Sequence, residues 1–221
     1  MLIKFFNDPE RLWKLVTLLT SGVGTTCAIF ALTLLLSAPL GILAALARMS
    51  KHTAVRGPVI FYIYIMRSTP LMLQIVCFYY LLPQLLPFRA NPFGTVIFAF
   101  VINYAAYFAE IFRGGIQAIP VGQREAGHVL GYERTQVFMR IILPQAIKNV
   151  MPAVTNEVIT LVKDTALAST VAITEIMIIA KQQVSVSSSV EPFLLTMILY
   201  MILNGIAGQF CKLAEKRLGY Y

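Results

Sequence analysis

Glu157, Thr160, Leu161 and Asp164 recur at i, i+3, i+4 and i+7 within a largely apolar stretch. On a helix that spacing puts two carboxylates and a hydroxyl on one face. Ionisable groups in apolar surroundings face a polar cavity or a partner, so this stripe can line a hydrophilic path and receive a cation. Arg67 is a second embedded charge, and its planar fork suits bidentate pairing with a carboxylate. It can equally brace the chain at Thr69–Pro70, where proline frees a carbonyl that needs a donor. Asn103 and Tyr104 add polar groups to a third apolar run, either facing the path or bonding a neighbouring helix. The candidate substrate-binding residues are thus Glu157, Thr160, Asp164, Arg67 and Asn103. The competing structural reading pairs Glu157 with Arg67 or Lys163 and makes Asp164 a packing group. Glu110 and Arg113, three residues apart, read as a local ion pair.

Nothing else in the chain suggests catalysis. No phosphate-cradling loop of the form G-x-x-x-x-G-K-S/T occurs, and no Ser/His/Asp or Cys/His set converges. Cys27, Cys77 and Cys211 are widely spaced in apolar runs, and His52 and His128 stand apart, so no metal site or disulfide framework is expected. The chain reads as a non-enzyme that binds no cofactor of its own.

The elements that carry these residues must be membrane helices. Hydrophobic residues make up 58% of the 221 and charged residues 13%, with a mean hydropathy of +0.74. Soluble domains run at about 45–50% apolar and about 25% charged, and a fold of this length cannot hide the excess. The same composition excludes disorder. A net charge of +8 would suggest nucleic acid in a soluble chain. In a membrane protein basic residues gather in cytoplasmic loops instead, so no nucleic-acid partner is expected.

A span needs about 20 mainly apolar residues. The apolar runs predict five, at approximately 15–47, 57–88, 90–109, 150–168 and 192–211, within a single domain over 1–221. A short helix that does not cross is expected after residue 168. Asp8 and Glu10 precede the first apolar run, which is too long for a signal core of roughly 7–15 residues, so that span is expected to be retained. Five spans put Arg48, Lys51, Arg56, Arg113, Arg124, Arg134, Arg140, Lys148, Lys212, Lys216 and Arg217 on one side. Lys4, Arg11, Lys14, Arg89 and Lys181 lie on the other. The positive-inside rule then predicts a cytoplasmic C-terminus and an external N-terminus. Trp13 reads as an interfacial anchor.

The polar segment of approximately 120–144 has its own pattern. Val121, Ala126, Val129, Leu130, Val137, Phe138, Ile141 and Ile142 recur at roughly helical spacing. Pro120 opens the segment, Gly131 interrupts it and Pro144 marks its expected end. Two short helices meeting at Gly131, where a missing Cβ permits a tight turn, would need a membrane surface or a cytoplasmic partner to pack against.

Glu125-Ala126-Gly127, three residues, Gly131, nine residues, Ile141, one residue and Leu143-Pro144 resembles the EAA loop of ATP-binding-cassette importer permeases. The spacing matches throughout, and the one departure is Gly127 for the second Ala. Arg67-Ser68-Thr69-Pro70-Leu71 resembles the R-G-T-P-L segment of the polar amino acid permeases, with Ser68 for the usual Gly. Residues 107–120 and 156–169 are similar to that family as well.

The resemblance implies an all-α permease subunit of a bacterial cytoplasmic (inner) membrane, with five core spans and an outside N-terminus. It implies that Glu125, Ala126, Gly127 and Gly131 couple the chain to a separate ATPase dimer, which binds the ATP and Mg. A second permease, identical or similar, and an external amino-acid-binding protein are the other implied partners. Asn156-Glu157-Val158 resembles permeases for basic amino acids, which implies arginine, lysine or histidine as substrate. Glutamine, glutamate or cystine remain alternatives within the family. A gradient-driven secondary carrier is the alternative outside it.

Overall fold

Helices form along the apolar runs, and side-chain caps start those at Pro9–Ser21, Pro92–Gln117 and Ile176–Ser187. The computed structural model describes residues 8–85 and 91–217, and these contain ten α-helices and no strand. In chain order they are α1 (Pro9–Ser21), α2 (Val23–Arg48), α3 (Thr53–Ser68), α4 (Leu71–Leu85) and α5 (Pro92–Gln117). They continue with α6 (Val121–Val129), α7 (Arg134–Val137), α8 (Leu143–Asp164), α9 (Ile176–Ser187) and α10 (Glu191–Arg217). A π-helical turn, Phe138–Ile142, joins α7 to α8, and a 3-10 stretch, Thr165–Val171, follows α8. Asp8 caps α1 by accepting from the Glu10 and Arg11 amides, and Asn91 caps α5 by accepting from Phe93. In both helices proline occupies the first turn, where its missing N–H costs nothing.

The centre of the molecule is α5. Val96, Ala99, Phe100, Tyr104, Ala106, Phe108 and Ala109 along it are all buried. The packing on α2 is the most extensive in the fold. Gly41 of α2 lies against Ala105 and Phe108, and Ala45 meets Ala106 and Ala109, small residues that let two membrane helices approach closely. Ile75 of α4, Leu161 of α8, and Ala168 and Val171 of the 3-10 stretch close the same core. A smaller cluster joins α1 to α9 through Leu15, Leu19, Ile179 and Ala180. Glu175 caps α9 by accepting from the Met177 and Ile178 amides at 2.7 Å, and it also takes the Tyr200 hydroxyl of α10 at 3.0 Å. On the outside, α10 exposes Met197, Met201 and Phe210, as a lipid-facing helix should.

Among the described residues three helices are long and apolar enough to cross a membrane, namely Pro9–Arg48 taken as one, α5 and α10. The expected span at 57–88 is not one helix. It breaks at Thr69–Pro70, where α3 and α4 meet at 110°, because proline cannot continue the ladder and the residue before it is forced extended. Thr69 has φ −118° and ψ 145°. This bent pair counts as a fourth candidate span. The end expected at 88 and the start at 90 lie outside the described residues. The expected fourth span, 150–168, begins earlier at Leu143, ends at Asp164, and is too polar to join that set. The short helix expected after it is α9.

Candidate functional site: a polar stripe and an exposed turn

The face of α8 predicted from spacing exists, and its members have different surroundings. Leu161 is fully buried in the core. Asp164 accepts a hydrogen bond from the Tyr104 hydroxyl of α5 at 2.8 Å. Glu157 is half-buried and makes no hydrogen bond or ion pair among the described residues, and Thr160 lies half-buried between the two carboxylates. Lys163 points away and is exposed. The pairing of Glu157 with Arg67 or Lys163, weighed from the sequence, is therefore not present.

Arg67 goes elsewhere. Its guanidinium lies over the Tyr107 ring, 5.3 Å from the centroid, and 3.8 Å from Glu110. Glu110 also pairs with Arg113 at 2.8 Å and with Arg48. The local pair expected between Glu110 and Arg113 is thus one side of a larger cluster.

The carbonyls freed at the Thr69–Pro70 break do find donors, and Arg67 is not among them. Asn103 donates to the Met66 carbonyl at 3.1 Å and to Gln74 Oε1 at 2.8 Å. Gln74 donates to Met66 at 3.0 Å and to the Thr69 carbonyl and hydroxyl at 3.2 and 2.6 Å. Both amides are buried. Sequence reasoning missed Gln74, although an amide four residues past the proline in an otherwise apolar run was a usable signal.

The second region is the segment around Gly131. There α6 ends in a left-handed residue, Gly131, at φ +81°. The Tyr132 amide reaches back to the Gly127 carbonyl at 3.0 Å and Gly131 to His128, the closing pattern of a Schellman turn. Gly127 is buried; a Cβ there would come within 2.8 Å of Val137 and 3.0 Å of Ile141. The residue that departs from the EAA pattern thus sits where α6 crosses closely over the π turn. Glu125 and Ala126 are exposed.

The second short helix expected here is not separate. α7, the π turn and α8 run on from Arg134 to Asp164, and Pro144 does not end the helix. It lies in the first turn of α8. Val121, Val129, Leu130 and Met139 are exposed on this unit, Val129 by 87%. A cavity of about 400 Å³ on this unit is lined by Arg124, His128, Arg134, Phe138, Ile142 and Met49. Exposed apolar side chains in such number mark a surface that another molecule covers.

The family described as "Binding-protein-dependent transport system inner membrane component" matches residues 37–220. The octopine transport system permease protein OccM of Rhizobium radiobacter is 38% identical over 217 residues, covering 94% of this chain and 89% of its own. The arginine transport system permease protein ArtQ of Bacillus subtilis is 33% identical over 204 residues, covering 92% and 93%. A crystal structure of an amino acid ABC transporter with histidines has a chain that superposes with a TM-score of 0.88 at 31% identity, covering 98% of this chain and 100% of that one.

Proposed function

Because the chain belongs to the family of binding-protein-dependent inner-membrane transport components, as a multi-pass permease subunit and not an enzyme, we propose that it builds the import path for a basic amino acid such as arginine, lysine or histidine. The observation that carries the substrate reading is Glu157. Its carboxylate is half-buried on the α8 stripe and no cation of the described chain pairs with it, whereas embedded carboxylates ordinarily hold a partner. A cationic side chain, or the ammonium of the amino acid, supplies one. Thr160, Asp164, Arg67 and Asn103 complete the proposed lining, Asn103 by holding open the break at Thr69–Pro70. The names of the arginine and octopine relatives favour this class.

In this reading the whole chain is one domain with five spans, the fifth supplied by α8, whose polar face turns to the path and so lowers its apolar score. The N-terminus lies outside and the C-terminus in the cytoplasm. Glu125, Ala126, Gly127 and Gly131 engage a cleft on a separate ATPase dimer, which carries the ATP and Mg. Movement of α6 with that dimer is passed through the continuous helix from Arg134 to Asp164 directly to the stripe. A second permease, of the same or a similar kind, closes the path, and an external binding protein delivers the amino acid.

The test is uptake into proteoliposomes holding the permease, its ATPase and the binding protein. ATP inside should drive accumulation of labelled arginine, with lysine or histidine competing and glutamine, glutamate and cystine not. Accumulation driven by a proton gradient without ATP would overturn the importer reading. Competition by glutamine alone would overturn the substrate class.

A further inference from the structure

Three guanidinium groups converge on one carboxylate at the end of α5 nearest the Gly131 turn. Glu110 holds Arg48 of α2, Arg67 of α3 and Arg113 of its own helix. Arg113 also bonds Gln117, and Arg67 rests on Tyr107. Even with Glu157, whose field reaches Arg67, the group keeps a positive excess. Arg67 is the loosest member, 3.8 Å from its carboxylate and 44% exposed, so it retains unused donors. A cavity of about 370 Å³ opens beside the cluster. It is lined by Arg48, Arg67, Ser68 and Glu110 and, on the face of α3 that carries Arg67, by an apolar wall of Ile60, Ile63 and Tyr64. Ile60 and Tyr64 are exposed there, and Phe61 beside them is exposed as well.

We propose that this cavity is a binding site for an anionic phospholipid. The phosphate sits among Arg48, Arg67 and the Ser68 hydroxyl, and the acyl chains lie along the exposed face of α3. Two observations independent of each other point to this ligand. The excess of guanidinium over carboxylate calls for a mobile anion, and basic pockets between membrane helices take lipid head groups in this way. The apolar wall continues onto exposed side chains, which a soluble anion would leave uncovered. The site lies where α2, α3 and α5 meet, so an occupied head group ties α3 to the central helix next to the coupling segment. Arg67 also stands in the lining proposed above, so the test rests on Arg48 and Glu110, which that reading does not use, and a failure of one reading is told apart from a failure of the other.

The test uses the purified permease–ATPase complex, delipidated in neutral detergent and titrated with dihexanoyl phosphatidylglycerol, dihexanoyl phosphatidylcholine or inorganic phosphate. Adducts are counted by native mass spectrometry. Phosphatidylglycerol should bind about tenfold or more tightly than phosphatidylcholine. Arg48→Gln should weaken it about fivefold, the worth of one basic residue at a membrane surface, and Arg48→Lys should restore part of that loss. Glu110→Gln should tighten it, a change of sign that a damaged fold cannot produce. Equal binding of the two lipids, or weaker binding in Glu110→Gln, would overturn the proposal. Inorganic phosphate displacing phosphatidylglycerol completely at comparable concentration would overturn the lipid and leave a soluble anion as the ligand.

Discussion

The polar interior and the Gly131 turn solve opposite problems with different residue types. In the interior, Asn103, Gln74 and the Thr69 hydroxyl satisfy one another and the carbonyls of a broken helix, and Asp164 is satisfied by Tyr104. Among the described residues Glu157 is the charged group left over, beside the unpartnered Thr33, Ser37 and Thr196 hydroxyls and the Asn204 side-chain carbonyl. At the turn the backbone satisfies itself through Gly131, and the leftover groups are apolar side chains pointing outward. Each region therefore advertises what it lacks. In the proposed reading the interior lacks a cation and the turn lacks a protein surface. A charge missing its partner costs far more in lipid than an apolar group does in water, so the interior should respond more sharply to substitution.

Glu157→Gln is the severest test of that contrast. Removing one member of a buried charge pair costs about 2–5 kcal/mol, so uptake of a cationic amino acid should need on the order of thirtyfold or more substrate. ATP hydrolysis without substrate should be unchanged. An unaltered arginine KM would remove Glu157 from the path.

Gly131→Ala comes next. A left-handed residue with a Cβ costs about 1–2 kcal/mol, so ATP-driven uptake should fall on the order of tenfold while the amount of folded protein in the membrane holds. The deficit should appear in turnover and not in substrate affinity. An effect on affinity alone would mean that the turn is no separate coupling element.

Asn103→Ala probes the brace at the helix break. Hydrogen bonds within membranes average about 0.6 kcal/mol and reach about 1.7, and this substitution removes two. Its thermal unfolding in detergent should move down by a few degrees, with Gln74→Leu giving a comparable shift. The pair together should cost less than the sum, because they share the Met66 carbonyl. Full additivity would mean that the two amides act apart.

Tyr104→Phe should have the smallest effect, about 0.6 kcal/mol, and leave substrate choice unchanged. A marked change of substrate preference would mean that the Tyr104 hydroxyl helps set how Asp164 meets the amino acid.

The turn was the more legible of the two regions, for a physical reason. Coupling to a partner needs groups at fixed offsets along one chain segment, and those offsets survive in the sequence as Glu125-Ala126-Gly127, Gly131, Ile141 and Leu143-Pro144. The α8 stripe was legible for the same reason, since one helix repeats every 3.6 residues. What sequence could not supply was partners from other helices. Arg48 and Glu110 are 62 residues apart, and Asn103 reaches Met66 across 37. The break at Thr69–Pro70 was legible from its proline, but Arg67, weighed as a donor there, is not among those that satisfy it. Pro144 does not end a helix as expected, because proline is tolerated in a first helical turn as readily as beyond a last one. The span expected at 150–168 is the one that length and apolarity of the described helices do not supply, because α8 carries Lys148, Glu157, Lys163 and Asp164.

Co-purification tests the central claim most directly. The chain, tagged and extracted from its native membrane in mild detergent, should bring down an ATPase subunit, and Gly131→Arg should release that subunit while the permease itself stays folded. Recovery of the wild-type chain alone, under conditions that keep other membrane complexes together, would contradict the account.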